Sequence, residues 1–259
     1  MPKIITIIII ILILILLFVL FLTENIENES YHSFNEIRDK LKTGDIILFS
    51  CRRYYSLLEE IIYKSRTNLI GTIYGHVGVV IKKNNKLYLV EACGYKLCGY
   101  DKAYHLNNYN QGGVRIIKLE TMLNEYHKKY NGVYAVKFIS EEIPYQKIME
   151  KIKKYKNITF QSMKTLAFLA IVDIFISHDL AINISKKCDK NKMICTEFLY
   201  NLLYDCGVLK EYPVKLFWTH LFTENIFTKL ENIKYSGPVK FMAPCVSANY
   251  VHFTSLMMK

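Results

Sequence analysis

Residues 75 to 92, GHVGVVIKKNNKLYLVEA, set two apolar runs around a polar centre. The first run, Gly75 to Lys82, is rich in β-branched residues, and the second covers Leu87 to Ala92. Between them stand Asn84 and Asn85, and asparagine tolerates the left-handed backbone that a tight hairpin turn requires. The pattern therefore predicts a β-hairpin with its turn at the two asparagines.

The expected register of this hairpin brings two polar side chains together. A turn centred between Asn84 and Asn85 pairs positions whose numbers sum to about 169, by counting out from a two-residue turn. His76 then faces position 93, and Glu91 becomes its diagonal neighbour on the same face of the sheet, within reach of a long side chain. A slip of one residue would separate the imidazole from the carboxylate.

A cysteine far along the chain offers a chemical partner for this pair. Ile194-Cys195-Thr196-Glu197-Phe198-Leu199 has helical periodicity, so Cys195 is expected at the amino end of a helix over Cys195 to Cys206. Free N–H groups and the helix dipole stabilise a thiolate there, and the Cys195 N–H can donate to an oxyanion. His76 would take the thiol proton, and Glu91 would orient the imidazole. The plainer alternative is that Cys195 is a small core residue.

The rest of the pattern predicts an α+β chain. Its 259 residues suffice for one large domain or two small ones, and 51% are hydrophobic, enough for a sizeable core. Residues 177–192 are polar and are expected to form a loop. Helices are predicted at Phe34–Leu41, Tyr55–Lys64, Glu120–His127, Ile143–Tyr155 and within Phe160–Ile176, and further strands at Ile46–Ser50, Val114–Leu119, Val133–Ile139 and Val239–Met242.

Charge and cysteine usage narrow the class of protein. The 34 lysines and arginines exceed the 23 acids by 11, but the basic residues are spread along the chain, so no nucleic-acid partner is expected. The seven cysteines include no CxxC pair, which argues against a zinc site and gives no disulfide framework. No metal or other cofactor is predicted.

The amino-terminal run Ile4 to Leu22 is apolar apart from Thr6. Its 19 residues just span a bilayer core of about 30 Å as a helix, and no small-residue cleavage site follows. The sequence therefore predicts an uncleaved anchor in residues 1–23, a linker in 24–33 and a single-pass membrane location, with the side of the membrane left open. A lipid acyl group or a peptide amide is the expected substrate.

Four motifs resemble, in their order along the chain, the circularly permuted papain-like enzymes of the NlpC/P60 superfamily, above all the YiiX/YebB-like permuted amidases. This resemblance implies a permuted papain-like catalytic domain over residues 34–210, with an antiparallel sheet packed against helices. The tail, 211–259, lies outside the resemblance and is expected to form a carboxy-terminal extension packed on the domain. It also implies the triad of Cys195, His76 and Glu91. The motifs are Thr43-Gly44-Asp45-Ile46-Ile47-Leu48-Phe49, Gly75-His76-Val77-Gly78-Val79-Val80, Val90-Glu91-Ala92 and Cys195-Thr196-Glu197-Phe198.

We therefore expect a membrane-anchored cysteine hydrolase, amidase-like or thioesterase-like, with Tyr74 and Thr196 beside the substrate. Two alternatives stay open at this point. One is lipid acyl transfer of the lecithin:retinol-acyltransferase type, although that family generally has histidine as the third residue and an Asn-Cys-Glu-type motif. The other is a catalytically idle membrane or structural protein on the same fold, and cysteine reactivity near pH 7 separates it from the enzymes.

Overall fold

The computed structural model describes residues 31–53, 72–94, 97–107, 112–162, 164–166, 168–169, 172, 176–187, 191–209 and 234–245. They form a mixed α+β fold. The helices are α1 (Phe34–Arg38), α2 (Leu119–Tyr130), α3 (Tyr145–Ile152), α4 (His178–Lys187) and α5 (Cys195–Asp205), with short 3-10 helices at Tyr100–Lys102 and Lys153–Tyr155. The strands are β1 (Ile46–Ser50), β2 (Tyr74–Lys83), β3 (Lys86–Cys93), β4 (Tyr104–His105), β5 (Gly113–Lys118), β6 (Val133–Lys137), β7 (Thr159–Phe160), β8 (Lys192–Met193) and β9 (Val239–Phe241).

Seven strands form an antiparallel sheet in the order β4-β5-β3-β2-β1-β6-β9. Strand β1 spans the predicted residues, and β9 brings a late part of the chain to the edge of the sheet beside β6. The predicted division into a domain at 34–210 and an extension at 211–259 stays a prediction, although this late strand completes the sheet. The predicted helix at Tyr55–Lys64 lies outside the described residues.

The hairpin of β2 and β3 has the predicted register. Val79 pairs with Val90, Val80 with Leu89, and the remaining pairs follow the same sum of 169 to Lys83 and Lys86. Asn84 and Asn85 form the turn with φ of 49° and 59°, the left-handed conformation that a two-residue turn of this kind requires. This pairing fixes which side chains of β2 and β3 are neighbours.

Helices cover both faces of the sheet, which explains why a strand such as β1 is buried at every position and apolar at all but Ser50. One face packs against α3 and α5, and the opposite face packs against α1 and α2. Alternate residues of each strand enter the two cores because strand side chains alternate in direction. In β1, Ile46 and Leu48 join the first core, and Ile47 and Phe49 join the second.

An excursion of the chain leaves from β7 and returns through β8, immediately before α5. Its ends are joined by a two-stranded parallel pairing in which Phe160 is opposite Met193. The prediction of a polar loop at 177–192 is wrong, since α4 occupies most of it. Ala181 of α4 packs with Leu169 and Val172, and Ile194 completes that small apolar cluster.

The predicted membrane span is corrected. In the ranges that the structure describes, no helix is long and apolar enough to cross a bilayer. The longest, α2, has 12 residues, which is about 18 Å against the roughly 30 Å of a hydrocarbon core. The transmembrane helix, the single-pass membrane class and the membrane location are therefore not retained. The stretch on which they were predicted, Ile4 to Leu22, lies outside the described residues.

Gly78 is the position in β2 where a side chain has no room. A Cβ built there lies 2.8 Å from Leu89 Cδ1 and 3.0 Å from the Val90 carbonyl oxygen, and Leu89 is fully buried. We expect Gly78→Ala to lower the free energy of unfolding by about 1–3 kcal/mol, the usual range for overpacking. Gly237→Ala is the control because a Cβ there meets nothing within 4 Å. Equal denaturant midpoints for the two variants would contradict this prediction.

Candidate functional site

The site begins at the amino end of α5. Cys195 is the first residue of α5. The cap residue before it, Ile194, has an extended backbone and offers no side-chain hydrogen bond to the helix. The first N–H groups of a helix have no acceptor within the helix, and the Cys195 side chain is placed beside them. Cys195 is 8% exposed. A small opening to solvent suits a thiol that has to meet a substrate and still be shielded from water.

His76 stands near the start of β2, where the pairing with β1 is irregular between Phe49 and Ser50. Such bulges re-aim side chains and occur next to active sites. The imidazole packs against the ring of Phe49, with 5.3 Å between ring centroids and 55° between the ring planes. It also forms side-chain hydrogen bonds with Cys195 and Glu91. Because its Nε2 meets Oε2 of Glu91, Nδ1 is the ring nitrogen left for the sulfur.

Glu91 has a second partner that the sequence reading missed. Arg115 of β5 lies directly opposite Glu91 of β3. Its Nε donates to Oε1 of Glu91 at 2.7 Å, and its Nη2 lies 2.5 Å from the same oxygen. Both side chains are 0% exposed. An arginine within the apolar run Val114 to Ile117 was the available signal, because a buried cation requires a partner.

The charges of His76, Glu91 and Arg115 stabilise one another and shift the pKa values of His76 and Glu91. Burial works against ionisation of Glu91, but the positive charges of Arg115 and His76 outweigh it and lower the pKa of Glu91. Burial likewise disfavours the charged imidazole, but Glu91 and Cys195 outweigh it and raise the pKa of His76. The site therefore holds an ionised carboxylate against a protonated imidazole at neutral pH. A protonated imidazole beside a sulfur stabilises a thiolate.

The raised pKa of His76 gives the fold a pH dependence with a definite sign. Its folded pKa, about 10, exceeds the ordinary value of 6.5, so protonation of His76 stabilises the folded state. That contribution is complete below pH 6.5 and is lost as the pH rises through the folded pKa. We expect the free energy of unfolding to fall more between pH 6.5 and pH 10 in the wild type than in His76→Gln. Denaturant titrations at both pH values measure this, and equal slopes for the two proteins would contradict it.

The other two predicted site residues, Tyr74 and Thr196, are close in sequence to His76 and Cys195. The structure places both inside the protein. Tyr74 is the first residue of β2 and is buried, and Thr196 is the second residue of α5 and is buried. Burial raises the pKa of the Tyr74 hydroxyl. Nothing in the arrangement tests a substrate role for either residue, so the predicted pocket stays a prediction.

Two further thiols lie near the site, and both are buried. Cys93 and Cys98 are buried free thiols close to Glu91, and burial raises the pKa of both. Among the described residues, no group of three or more histidines, cysteines or acids is arranged to hold a metal ion. The site itself links one thiol, one imidazole, one carboxylate and one guanidinium through contacts. A thiol beside a base that is oriented by a third group can carry out nucleophilic acyl chemistry.

Comparisons with known proteins find a sequence relative and a distant likeness among solved structures. No protein-family model matches the chain. It is 40% identical over 220 residues to “Uncharacterized protein R372” of Acanthamoeba polyphaga mimivirus, an alignment that covers 84% of this chain and 88% of that protein. Among solved structures it is similar to the crystal structure of metalloprotein yiiX from Escherichia coli O157:H7, with a TM-score of 0.33 and 17% identity over 75% of this chain and 88% of that chain.

The likeness to yiiX assigns neither a residue nor an activity, so the chemistry of the site rests on its own geometry. The predicted resemblance to YiiX-like proteins has this distant structural counterpart. Membership of the NlpC/P60 superfamily stays a prediction.

Proposed function

The chain belongs to the family of the mimivirus protein R372, and from the chemistry of its site we propose that it is a cysteine hydrolase that works through an acyl-enzyme. The observation that carries the proposal is the continuous chain of contacts from Cys195 through His76 to Glu91. His76 and Glu91 come from the two strands of one hairpin, and Cys195 comes from a helix that is distant from the hairpin in sequence. A nucleophile, a base and a group that orients the base are the three parts such catalysis requires.

The proposed reaction has two steps that balance in atoms and charge. The Cys195 sulfur attacks the substrate carbonyl carbon, a C–S bond forms, and the bond from that carbon to the leaving nitrogen, oxygen or sulfur breaks as His76 gives the leaving group a proton. Water then attacks the thioester while His76 takes a proton from it. The carboxylic acid leaves, and the Cys195 sulfur and the His76 proton are restored.

Each member of the site has a defined part in these steps. The Cys195 N–H at the start of α5 donates to the oxygen that becomes negative in each tetrahedral intermediate, aided by the positive end of the helix dipole. His76 carries the proton between sulfur, leaving group and water. Glu91 keeps the imidazole in one orientation and stabilises its protonated form.

The proposed substrate is an acyl compound with an amide, ester or thioester carbonyl, either a peptide or a lipid acyl derivative. Ile194, the residue before the nucleophile, belongs to a small apolar cluster with Leu169, Val172 and Ala181. An apolar wall in that place suits an acyl chain or an apolar side chain of a peptide.

Mapping the labelled cysteine tests the proposal without any substitution. The purified protein is treated near pH 7 with a peptidyl vinyl sulfone or with a long-chain acyl thioester, and the adducts are located by peptide mass spectrometry. We expect Cys195 to be labelled first, although Cys245 is exposed and Cys195 is nearly buried. Labelling that follows exposure, with Cys245 ahead of Cys195, would favour an idle thiol and overturn the proposal.

A further inference from the structure

We propose that Arg115 is a positioning residue of this site, which fixes the Glu91 carboxylate through one oxygen so that the other oxygen is presented to His76. The inference rests on the proposed function for its effect on rate. It rests on the described contacts alone for its effect on the imidazole. Arg115 touches neither the sulfur nor the imidazole in the described contacts, so it acts through Glu91.

The two oxygens of Glu91 have separate partners. Oε1 accepts from Arg115 Nε at 2.7 Å and lies 2.5 Å from Nη2, whereas Oε2 meets Nε2 of His76. A carboxylate held by two nitrogens on one oxygen cannot rotate without breaking both contacts. The direction of Oε2 towards the imidazole is therefore set from β5, across β3, to β2.

Arg115 is itself held from two further directions. Its Nη2 donates to the Cys98 carbonyl oxygen at 3.0 Å and lies 3.3 Å from Met122 Sδ of α2. The side chain is 0% exposed. A planar guanidinium tied to a strand partner, a loop carbonyl and a helix has little freedom left, which makes it a rigid support for a carboxylate.

Stability alone is a poor explanation for this buried pair. Removing two charges from water is costly, and apolar residues of similar size often serve a core equally well or better. Within the part of the chain that the structure describes, Nη1 of Arg115 has no hydrogen-bond partner, which adds to the cost. Retaining a charged pair at that cost is explained when the carboxylate has a partner to orient.

The surroundings of Glu91 make Arg115 its counter-charge. Among the described residues, Glu91 interacts electrostatically with Arg115 of β5, His76 of β2, Cys93 of β3 and Cys98, and Cys195 of α5 is in contact with His76. The Glu91 carboxylate therefore lies between two positive groups, the Arg115 guanidinium and the protonated imidazole of His76. Without Arg115 this buried carboxylate keeps one positive partner instead of two, which is unfavourable for a charge removed from water.

The first experiment measures the rate at which Cys195 is labelled by the peptidyl vinyl sulfone. We expect Arg115→Met to slow labelling by roughly 10- to 100-fold, by analogy with residues that orient a metal ligand through a hydrogen bond. Arg115→Lys, which keeps the charge, is expected to recover part of the rate. Arg38→Met is the matched control because Arg38 also pairs with a carboxylate, that of Glu120, but on the surface. A wild-type rate in Arg115→Met would overturn the inference.

A double-mutant cycle distinguishes a residue that acts through Glu91 from one that merely supports the fold. We expect Glu91→Gln combined with Arg115→Met to label no more slowly than Glu91→Gln alone, because Arg115 has nothing left to position. The double variant also removes both buried charges together, which protects it against unfolding caused by an unpaired ion. Independent, multiplying losses in the double variant would overturn the inference.

An NMR measurement decides the question even if Cys195 is not labelled. A hydrogen bond from Nε2–H of His76 to Glu91 gives a strongly downfield imidazole proton, identified by its loss in His76→Gln. We expect that signal in the wild type and in Arg38→Met, and its loss or a large shift in folded Arg115→Met. An unchanged signal in Arg115→Met would overturn the inference. An unlabelled wild type that shows the expected NMR changes would overturn only the proposed hydrolase.

Discussion

Cys195→Ala is expected to abolish acyl-enzyme formation, with labelling by the acyl thioester reduced by at least about 10³-fold, since loss of a nucleophile removes the reaction path itself. The substitution is mild for the fold. It deletes one sulfur at the start of α5, and the packing residues of that helix, Phe198 and Leu199, are unchanged. We expect the free energy of unfolding to change by no more than about 1 kcal/mol. Label incorporation and denaturant unfolding, measured on the same preparation, test both statements.

Cys206→Ala is the matched control for this change. Cys206 caps the other end of the same helix, and it is buried and free. Burial raises the pKa of its thiol to about 11, so it stays neutral at pH 7 and is not expected to react. If Cys195→Ala retains the adduct on another cysteine, or if Cys206→Ala loses labelling as well, the nucleophile has been misassigned.

The local part of this site could be predicted from the sequence because a tight turn determines a register. Asn84 and Asn85 fix the hairpin, and the count outward from them places Glu91 beside His76 before any tertiary contact is known. The helix at Cys195 could be predicted as well, from its apolar spacing and from the glycine that follows it. These elements depend on residues that are close in the chain.

Arg115 could not be placed in the same way. Strands β3 and β5 are separated by a long connection that contains β4, so no tight turn determines which residue of β5 stands opposite Glu91. An arginine in an apolar run signals a buried partner but does not identify it. Its contacts with Cys98 and Met122 depend on the packing of α2 against the sheet. Tertiary structure supplied this part of the site.

Helix α4, and the place of strand β9 in the sheet, could not be predicted from the sequence for a related reason. Ala181 and Ile184 provide only a narrow apolar stripe, and the surface that covers it comes from the segment containing Leu169 and Val172. The tail strand was predicted at nearly its observed position, but its place beside β6 depends on a pairing of residues about a hundred positions apart. A local pattern identifies such elements poorly, or gives their position in the chain without their neighbours.

His76→Gln is expected to slow labelling of Cys195 at pH 7 by about 10²- to 10⁴-fold, the usual contribution of a positioned acid–base group. The wild-type imidazole bears a positive charge at neutral pH because Glu91 raises its pKa. Glutamine keeps a polar side chain in that place but supplies neither the charge beside the sulfur nor a proton for the leaving group. The rate of labelling by the vinyl sulfone, followed from pH 5 to pH 10, measures the loss.

The shape of the pH profile then separates loss of the ion pair from damage to the fold. With His76 present, labelling should stay fast across neutral pH, since the charge that stabilises the thiolate persists until the imidazole titrates. In His76→Gln the rate should instead rise steadily with pH, as for an unassisted thiol. His127→Gln is the control because that imidazole lies on α2 and hydrogen-bonds a backbone carbonyl oxygen, that of Gly132. A flat and fast profile in His76→Gln would show that the thiol is activated by another group, and the triad would have to be abandoned.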